Sequence, residues 1–197
     1  MKQPITFLKL NVAILGNTKL SELLALSLAF RDYNIYYGCD SKQQKKPALL
    51  QRYRNIYFGT IEDTAAASDV IIIASLPRYV RELAYYIDDV HDKVVIDMSS
   101  FFTDHETINL NTLQAIKVIT GSEQVVKCYG ALKHHALSVS FTSENVQELF
   151  LAGDNKKSKV AADMLFRDLG IEICHDIGND TTACLVDEAI AYNTDKG

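Results

Sequence analysis

The run Val70–Ala74 (VIIIA) opens with four β-branched residues in succession and carries no charge. A strand this apolar must be covered on both faces, as a central strand of a parallel sheet is. Leu10–Leu15 (LNVAIL) is a similar run and stops at Gly16. Further strands are expected at Asn34–Tyr37, closed by Gly38, at Ile56–Phe58, at Lys93–Asp97, at Val125–Tyr129, at Leu149–Ala152 and at Ile171–Cys174. Amphipathic stretches separate them. Leu20, Leu23, Leu24 and Leu28 share one helical face, Val80, Leu83, Ala84 and Ile87 another, and Val160, Ala161, Met164 and Leu165 a third, with Gly170 as C-cap of the last. Short helices are expected near Ala48–Tyr53, opened by Pro47, and at Ile61–Ser68, with a final one at Thr182–Tyr192. The stretch between Ser100 and Gln124 has no readable period. Alternation of strand and helix predicts an α/β fold, a doubly wound and mostly parallel sheet with helices on both faces.

At 197 residues the chain is about one domain long, and no repeat or linker divides it, so a single domain over 1–197 is expected. Twenty basic against 25 acidic residues give a net charge of −5, which disfavours non-specific nucleic-acid binding. No apolar run approaches the ~18–20 residues that span a membrane. The opening MKQPITFLK has neither the apolar run nor the small-residue pattern of a signal peptide. Cys39, Cys128, Cys174 and Cys184 lie far apart and read as reduced thiols of a cytoplasmic protein.

In a doubly wound sheet, ligands bind at the carboxyl ends of the strands, where the strand order reverses. Residues just after each strand are therefore the candidates: Gly16–Ser21, Gly38–Lys42, Ser75–Val80, Met98–Phe102 and Gly130–His135. The first of these turns, Gly16-Asn17-Thr18-Lys19-Leu20-Ser21, stands where G-x-G-x-x-G would and keeps only the first glycine. It reads as a phosphate cradle at a helix N-terminus or as a strand–helix turn that binds nothing. Asp97 reads as a functional carboxylate or as a cap of the following turn. His134 and His135 are adjacent and would not share a helical face, so no metal is expected. His105 and His175 read as exposed. Lys42, Lys45 and Lys46 read as a solvated loop, and Tyr33, Tyr36, Tyr37, Tyr53 and Tyr57 as packing residues. Neither G-x-S-x-G nor G-x-x-x-x-G-K-[ST] occurs, which disfavours α/β-hydrolases and P-loop nucleotidases.

The segments VAILG, IYYGCDSKQ, SDVIIIASLPRYVRELA, DKVVIDMSS, VVKCYGAL and LFLAGDNKKSKVAADMLFRDLGIEICHDIG, in that order, resemble the NADP-dependent coenzyme F420 oxidoreductase family. That family includes the nucleotide-binding domain of the STEAP metalloreductases. The resemblance runs from about Leu10 to Gly178. It implies a Rossmann-like domain that binds NADP or NAD and passes a hydride between the nicotinamide and a flavin, coenzyme F420 or a small redox substrate. Carried onto this chain, Gly16, Asn17, Thr18, Lys19 and Leu20 would cradle the pyrophosphate. Cys39, Asp40 and Lys42 would face the adenine ribose. Ser75, Leu76, Pro77 and Val80 would line the nicotinamide side, with Met98 and Ser99 beside it, and Gly130, Ala131 and His134 would edge the second ligand's pocket.

Three departures fall in these sites. Gly38-Cys39-Asp40 replaces the family's G-S-R, so Asp40 would accept from a ribose hydroxyl rather than hold a 2′-phosphate, and the NAD or NADP preference stays open. Val126-Lys127-Cys128-Tyr129-Gly130-Ala131 replaces V-K-A-x-N-T and lacks the asparagine. Thr18 replaces the second glycine. The competing expectation is a dinucleotide- or partner-binding domain that has lost activity. An S-adenosylmethionine site on a related sheet is a third. An open nicotinamide pocket calls for a lid or a partner chain, so a homodimer is also considered.

Overall fold

The structure, a computed structural model, describes residues 10–38, 47–87, 90–99, 111–130, 148–171 and 173–194, with side chains as far as residue 189. The strands are β1 (Asn11–Leu15), β2 (Asn34–Gly38), β3 (Ile56–Gly59), β4 (Val70–Ile73), β5 (Val94–Asp97), β6 (Val125–Tyr129), β7 (Glu148–Ala152) and β8 (Ile173–Gly178). The helices are α1 (Lys19–Ala29), α2 (Ile61–Ala66), α3 (Pro77–Tyr85), α4 (Thr112–Thr120), α5 (Lys156–Asp168) and α6 (Asp180–Thr194). One sheet holds all eight strands in the order β3-β2-β1-β4-β5-β6-β7-β8. The first six in sequence are parallel, β7 runs antiparallel to β6, and β8 is parallel to β7.

Strand periodicity divides the core in two. On one face Val12, Ile14, Ile35, Val70, Ile72 and Val126 pack with Leu24 and Leu28 of α1 and with Ala162, Leu165 and Phe166 of α5. On the other Ala13, Leu15, Ile71, Ile73, Val95 and Val125 pack with Ala65 of α2, Val80, Leu83 and Ala84 of α3, Leu113 and Ile116 of α4, and Ala183 of α6. All four residues of β4 are buried, as the VIIIA run requires. The α/β doubly wound, mostly parallel, Rossmann-like sheet with helices on both faces is thus the observed fold.

Three elements differ from the sequence expectations. The helix sought near Ala48–Tyr53 is one 3-10 turn, Leu50–Arg52, with no side-chain cap and with Tyr53 already extended. Helix α4 occupies part of the unreadable stretch. Its N-cap Asn111 accepts from the N–H of Gln114, and Gly121 ends it in the left-handed conformation at φ 67°. The last strand spans Ile173–Gly178, later than the Ile171–Cys174 expected. Ile171 instead accepts a buried place beneath α5 (0 % exposed), with its N–H donated to Phe166 O.

Candidate functional site

The strand order reverses between β1 and β4, the two strands that leave the sheet centre for opposite sides. Their carboxyl ends meet at Gly16. Its φ is +144°, and a Cβ there would stand 2.2 Å from the carbonyl oxygen of Ala74. Only glycine fits this contact.

The next residues show how the turn works without two of its three glycines. Thr18 is the N-cap of α1. Its Oγ1 accepts from the N–H of Ser21 at 3.1 Å and donates to Ala74 O at 2.9 Å. The side chain is thereby tied inward, to the end of β4. Ser21, at the third glycine position, is fully buried. Its Oγ accepts from Thr18 N–H at 3.0 Å and lies 2.7 Å from Thr18 O, 3.1 Å from Gly16 O and 2.8 Å from Tyr37 Oη of β2. The reciprocal capping box uses the N–H groups of Thr18 and Ser21. Those of Lys19 and Leu20, in the first turn of α1, have no acceptor among the described residues. They add to the positive end of the helix dipole. Lys19 reaches Glu22 at 3.2 Å on the surface.

Across the reversal point, Ser75 (5 % exposed) and Leu76 lead from Ala74 into α3, whose first residue is Pro77 and whose N-cap, Leu76, makes no side-chain hydrogen bond. The structure therefore brings Gly16, Asn17, Thr18, Lys19 and Leu20 together with Ser75, Leu76 and Pro77. Val80 and Met98 do not join them at the surface. Both are fully buried, Val80 on the sheet-facing side of α3 and Met98 in the core on the α1 and α5 face. Ser99 is fully buried as well. Cys39, Asp40, Lys42, Ala131 and His134 lie outside the described residues.

Gly130 explains its own departure from the family pattern. A Cβ at this position would meet Leu149 Cδ2 at 2.8 Å and the carbonyl oxygen of Glu148 at 2.9 Å. Strand β7 takes the room that an asparagine side chain would need.

A polar cluster that sequence reading did not assemble lies where the end of β5 pairs with the middle of β6. Asp97 and Lys127 are register partners in these strands, and both are buried. Asp97 accepts from Ser99 N–H at 2.9 Å through Oδ1 and from Thr112 Oγ1 at 2.5 Å through Oδ2. Lys127 Nζ donates to Thr112 Oγ1 at 2.5 Å and to Asp187 Oδ2 of α6 at 2.8 Å, and stands 3.4 Å from Asp97 Oδ2. Ser99 Oγ is 3.1 Å from Thr112 Oγ1. Burial raises the pKa of Asp187 against the opposing charge of Lys127, and burial followed by the Asp187 charge raises that of Tyr129. Asp97 thus caps the turn after β5, the plainer of its two readings. The lysine of the V-K pair was the available signal: a Lys inside an otherwise apolar strand must find a carboxylate.

His175 is exposed, 3.3 Å from Glu148 Oε2 and stacked on Phe150. Among the described residues no three His, Cys, Asp or Glu side chains are placed to hold a metal ion. No helix is long and apolar enough to cross a membrane.

The strand order, the reversal between β1 and β4 and the glycine at that point define a Rossmann-like domain. Residues 11–100 match the family described as NADP oxidoreductase, coenzyme F420-dependent, so the resemblance read from the sequence holds over β1 to β5. A candidate F420-dependent NADP reductase from Arthrobacter sp. FB24 superposes with a TM-score of 0.77 at 15% identity, over 95% of this chain and 92% of its own. An imine reductase from Pseudomonas sp. gives 0.72 at 15% identity, over 95% of this chain and 62% of its own. Pyrroline carboxylate reductase from Plasmodium falciparum, with NADP bound, gives 0.59 at 16% identity, over 85% of this chain and 57% of its own. The chain thus spans about three fifths of the length of the last two.

Proposed function

We propose that this chain is an NAD(P)-binding oxidoreductase that transfers a hydride between the nicotinamide and a flavin, a deazaflavin or a small redox substrate. The observation that carries the reading is the turn after β1. Gly16 is pressed against Ala74, Thr18 is tied inward, and the Lys19 and Leu20 N–H groups remain available at the N-terminus of α1. The residues present fit a diphosphate: Lys19 and Leu20 would donate to it, and the Lys19 ammonium would exchange Glu22 for a phosphate oxygen. Ser75, Leu76 and Pro77 would line the adjoining side. When bound, the dinucleotide supplies the hydride chemistry, so the protein needs no acid–base pair of its own for that step. The family match and the NADP bound to the Plasmodium protein support the same ligand class.

The finer assignments belong to this reading. Asp40 and Lys42 set the choice between NAD and NADP, residues 1–197 form one domain, and a second copy closes the pocket in a homodimer. Cys174 and Cys184 form no disulfide, which supports a cytoplasmic protein.

One observation favours the non-catalytic alternative, the closure of the asparagine position at Gly130 by Glu148 and Leu149. Thermal stabilisation separates the two. NADPH or NADH at 100 times its dissociation constant should add about 2.7 kcal/mol, a melting shift of about 5–10 °C at this size. Oxidation of the bound reduced cofactor by flavin or deazaflavin then supports the reductase. Binding without turnover supports a non-catalytic dinucleotide-binding domain, and no shift at millimolar dinucleotide overturns the oxidoreductase and leaves the non-catalytic, partner-binding domain.

A further inference from the structure

Chain leaves β5 at Ser99 and returns at Thr112 to begin α4, and the two ends are knotted on one carboxylate. Ser99 N–H and Thr112 Oγ1 occupy the two oxygens of Asp97, and the two hydroxyls lie 3.1 Å apart. Lys127 fastens the knot from β6 by its bond to Thr112 and its pairing with Asp97, and Asp187 of α6 completes the ammonium's partners. Four elements, β5, β6, α4 and α6, thus converge on one buried ammonium, 2 % exposed. So many polar groups are seldom buried for stability alone, since apolar residues of the same volume would serve as well. The knot stands at the carboxyl end of β5, two strands from Gly16 and beside β4, on the side where the nicotinamide half of a dinucleotide would lie.

We propose that Lys127 is a positioning residue for the nicotinamide half of the site, acting through Thr112 and Asp97 to fix the backbone at Ser99. The inference rests on the dinucleotide reading above. It requires that the knot matter to the nicotinamide and not to the adenosine diphosphate, which is held at the turn after β1.

The test compares NADPH with 2′-phospho-ADP-ribose, or NADH with ADP-ribose, whichever pair the wild type binds. Thr112→Val removes one hydroxyl at constant shape and keeps the Lys127–Asp187 pair. Lys127→Met removes the charge. Both should weaken the full dinucleotide about tenfold while leaving the ribose analogue within about twofold. Lys117→Met is the control. It removes another buried lysine that pairs with α6, 2.7 Å from Asp180, and should leave both affinities unchanged. In the wild type, hydrogen exchange at the Ser99 amide should slow further with the dinucleotide than with the ribose analogue, a readout that survives failure of any variant to fold. Equal weakening of both ligands, no weakening in a folded variant, the same split in Lys117→Met, or equal Ser99 protection by the two ligands overturns the inference. If the wild type binds neither ligand, the dinucleotide reading falls first and the inference with it.

Discussion

At the residue scale the turn after β1 shows that a glycine fingerprint is a set of separable requirements. Gly16 meets one that no side chain can. Gly16→Ala places a methyl group 2.2 Å from Ala74 O at a φ of +144°, and should cost about 3 kcal/mol or more in urea unfolding and abolish dinucleotide binding. Thr18 and Ser21 meet the others by different chemistry, holding by hydrogen bonds what the second and third glycines achieve by lack of a side chain. Thr18→Gly should therefore lower stability by about 1 kcal/mol, through the lost bonds to Ser21 and Ala74, while leaving dinucleotide affinity at least as high. A large loss of affinity would mean that the hydroxyl faces the ligand after all. Gly130 is different again. Gly130→Asn should not restore the family's polar contact but should displace β7 and cost about 1–3 kcal/mol.

At the element scale, α4 and α6 are both held by buried polar groups. Asn111→Ala should destabilise by about 1 kcal/mol, because its side chain caps the Gln114 N–H of a nine-residue helix. Asp187 links α6 to the sheet, and its raised pKa has a definite sign in stability. The folded state holds the Asp187 proton more tightly than the unfolded chain, whose value is near the ordinary 3.8. This group's contribution is therefore fully present below that value and is lost as pH rises through the folded pKa. Asp187→Asn has no such titration. The stability difference between wild type and variant, from urea melts across the acid range, should shift in the variant's favour as pH rises. A shift the other way would mean that Lys127 outweighs burial at Asp187.

At the scale of the whole molecule, eight strands form one uninterrupted sheet, and each face carries one continuous apolar core. If residues 1–197 form one domain, as proposed, far-ultraviolet circular dichroism and the fluorescence of the ten tyrosines, in a chain without tryptophan, should report a single coincident unfolding transition. Two separated transitions would argue against one domain. The reversed pair β7 and β8 should unfold in the same transition, because Leu149 and Leu151 of β7 sit in the core with Phe166 of α5.

The sequence by itself determined the sheet and most of its cover. Runs such as VIIIA have no stable home outside a buried strand, and helical spacing in α1 and α3 places their apolar faces on it. In α5 the face read from spacing is turned: Val160 and Met164 are exposed, and Ala162, Leu165 and Phe166 make the contact with the sheet instead. It marked Gly16 as well, because a glycine closing a first strand is a local feature. It left α4 hidden, although Asn111 and Gly121 bracket that helix, since Lys117 and Thr112 lie buried among its apolar residues and blur the period. Tertiary structure alone decided the rest. The inward turn of Thr18 depends on a carbonyl 56 residues away. The closing of Gly130 depends on the antiparallel course of β7. The union of Asp97, Thr112, Lys127 and Asp187 joins residues spread over half the chain, and a polar side chain's partner is fixed by the packing of elements rather than by its sequence neighbours.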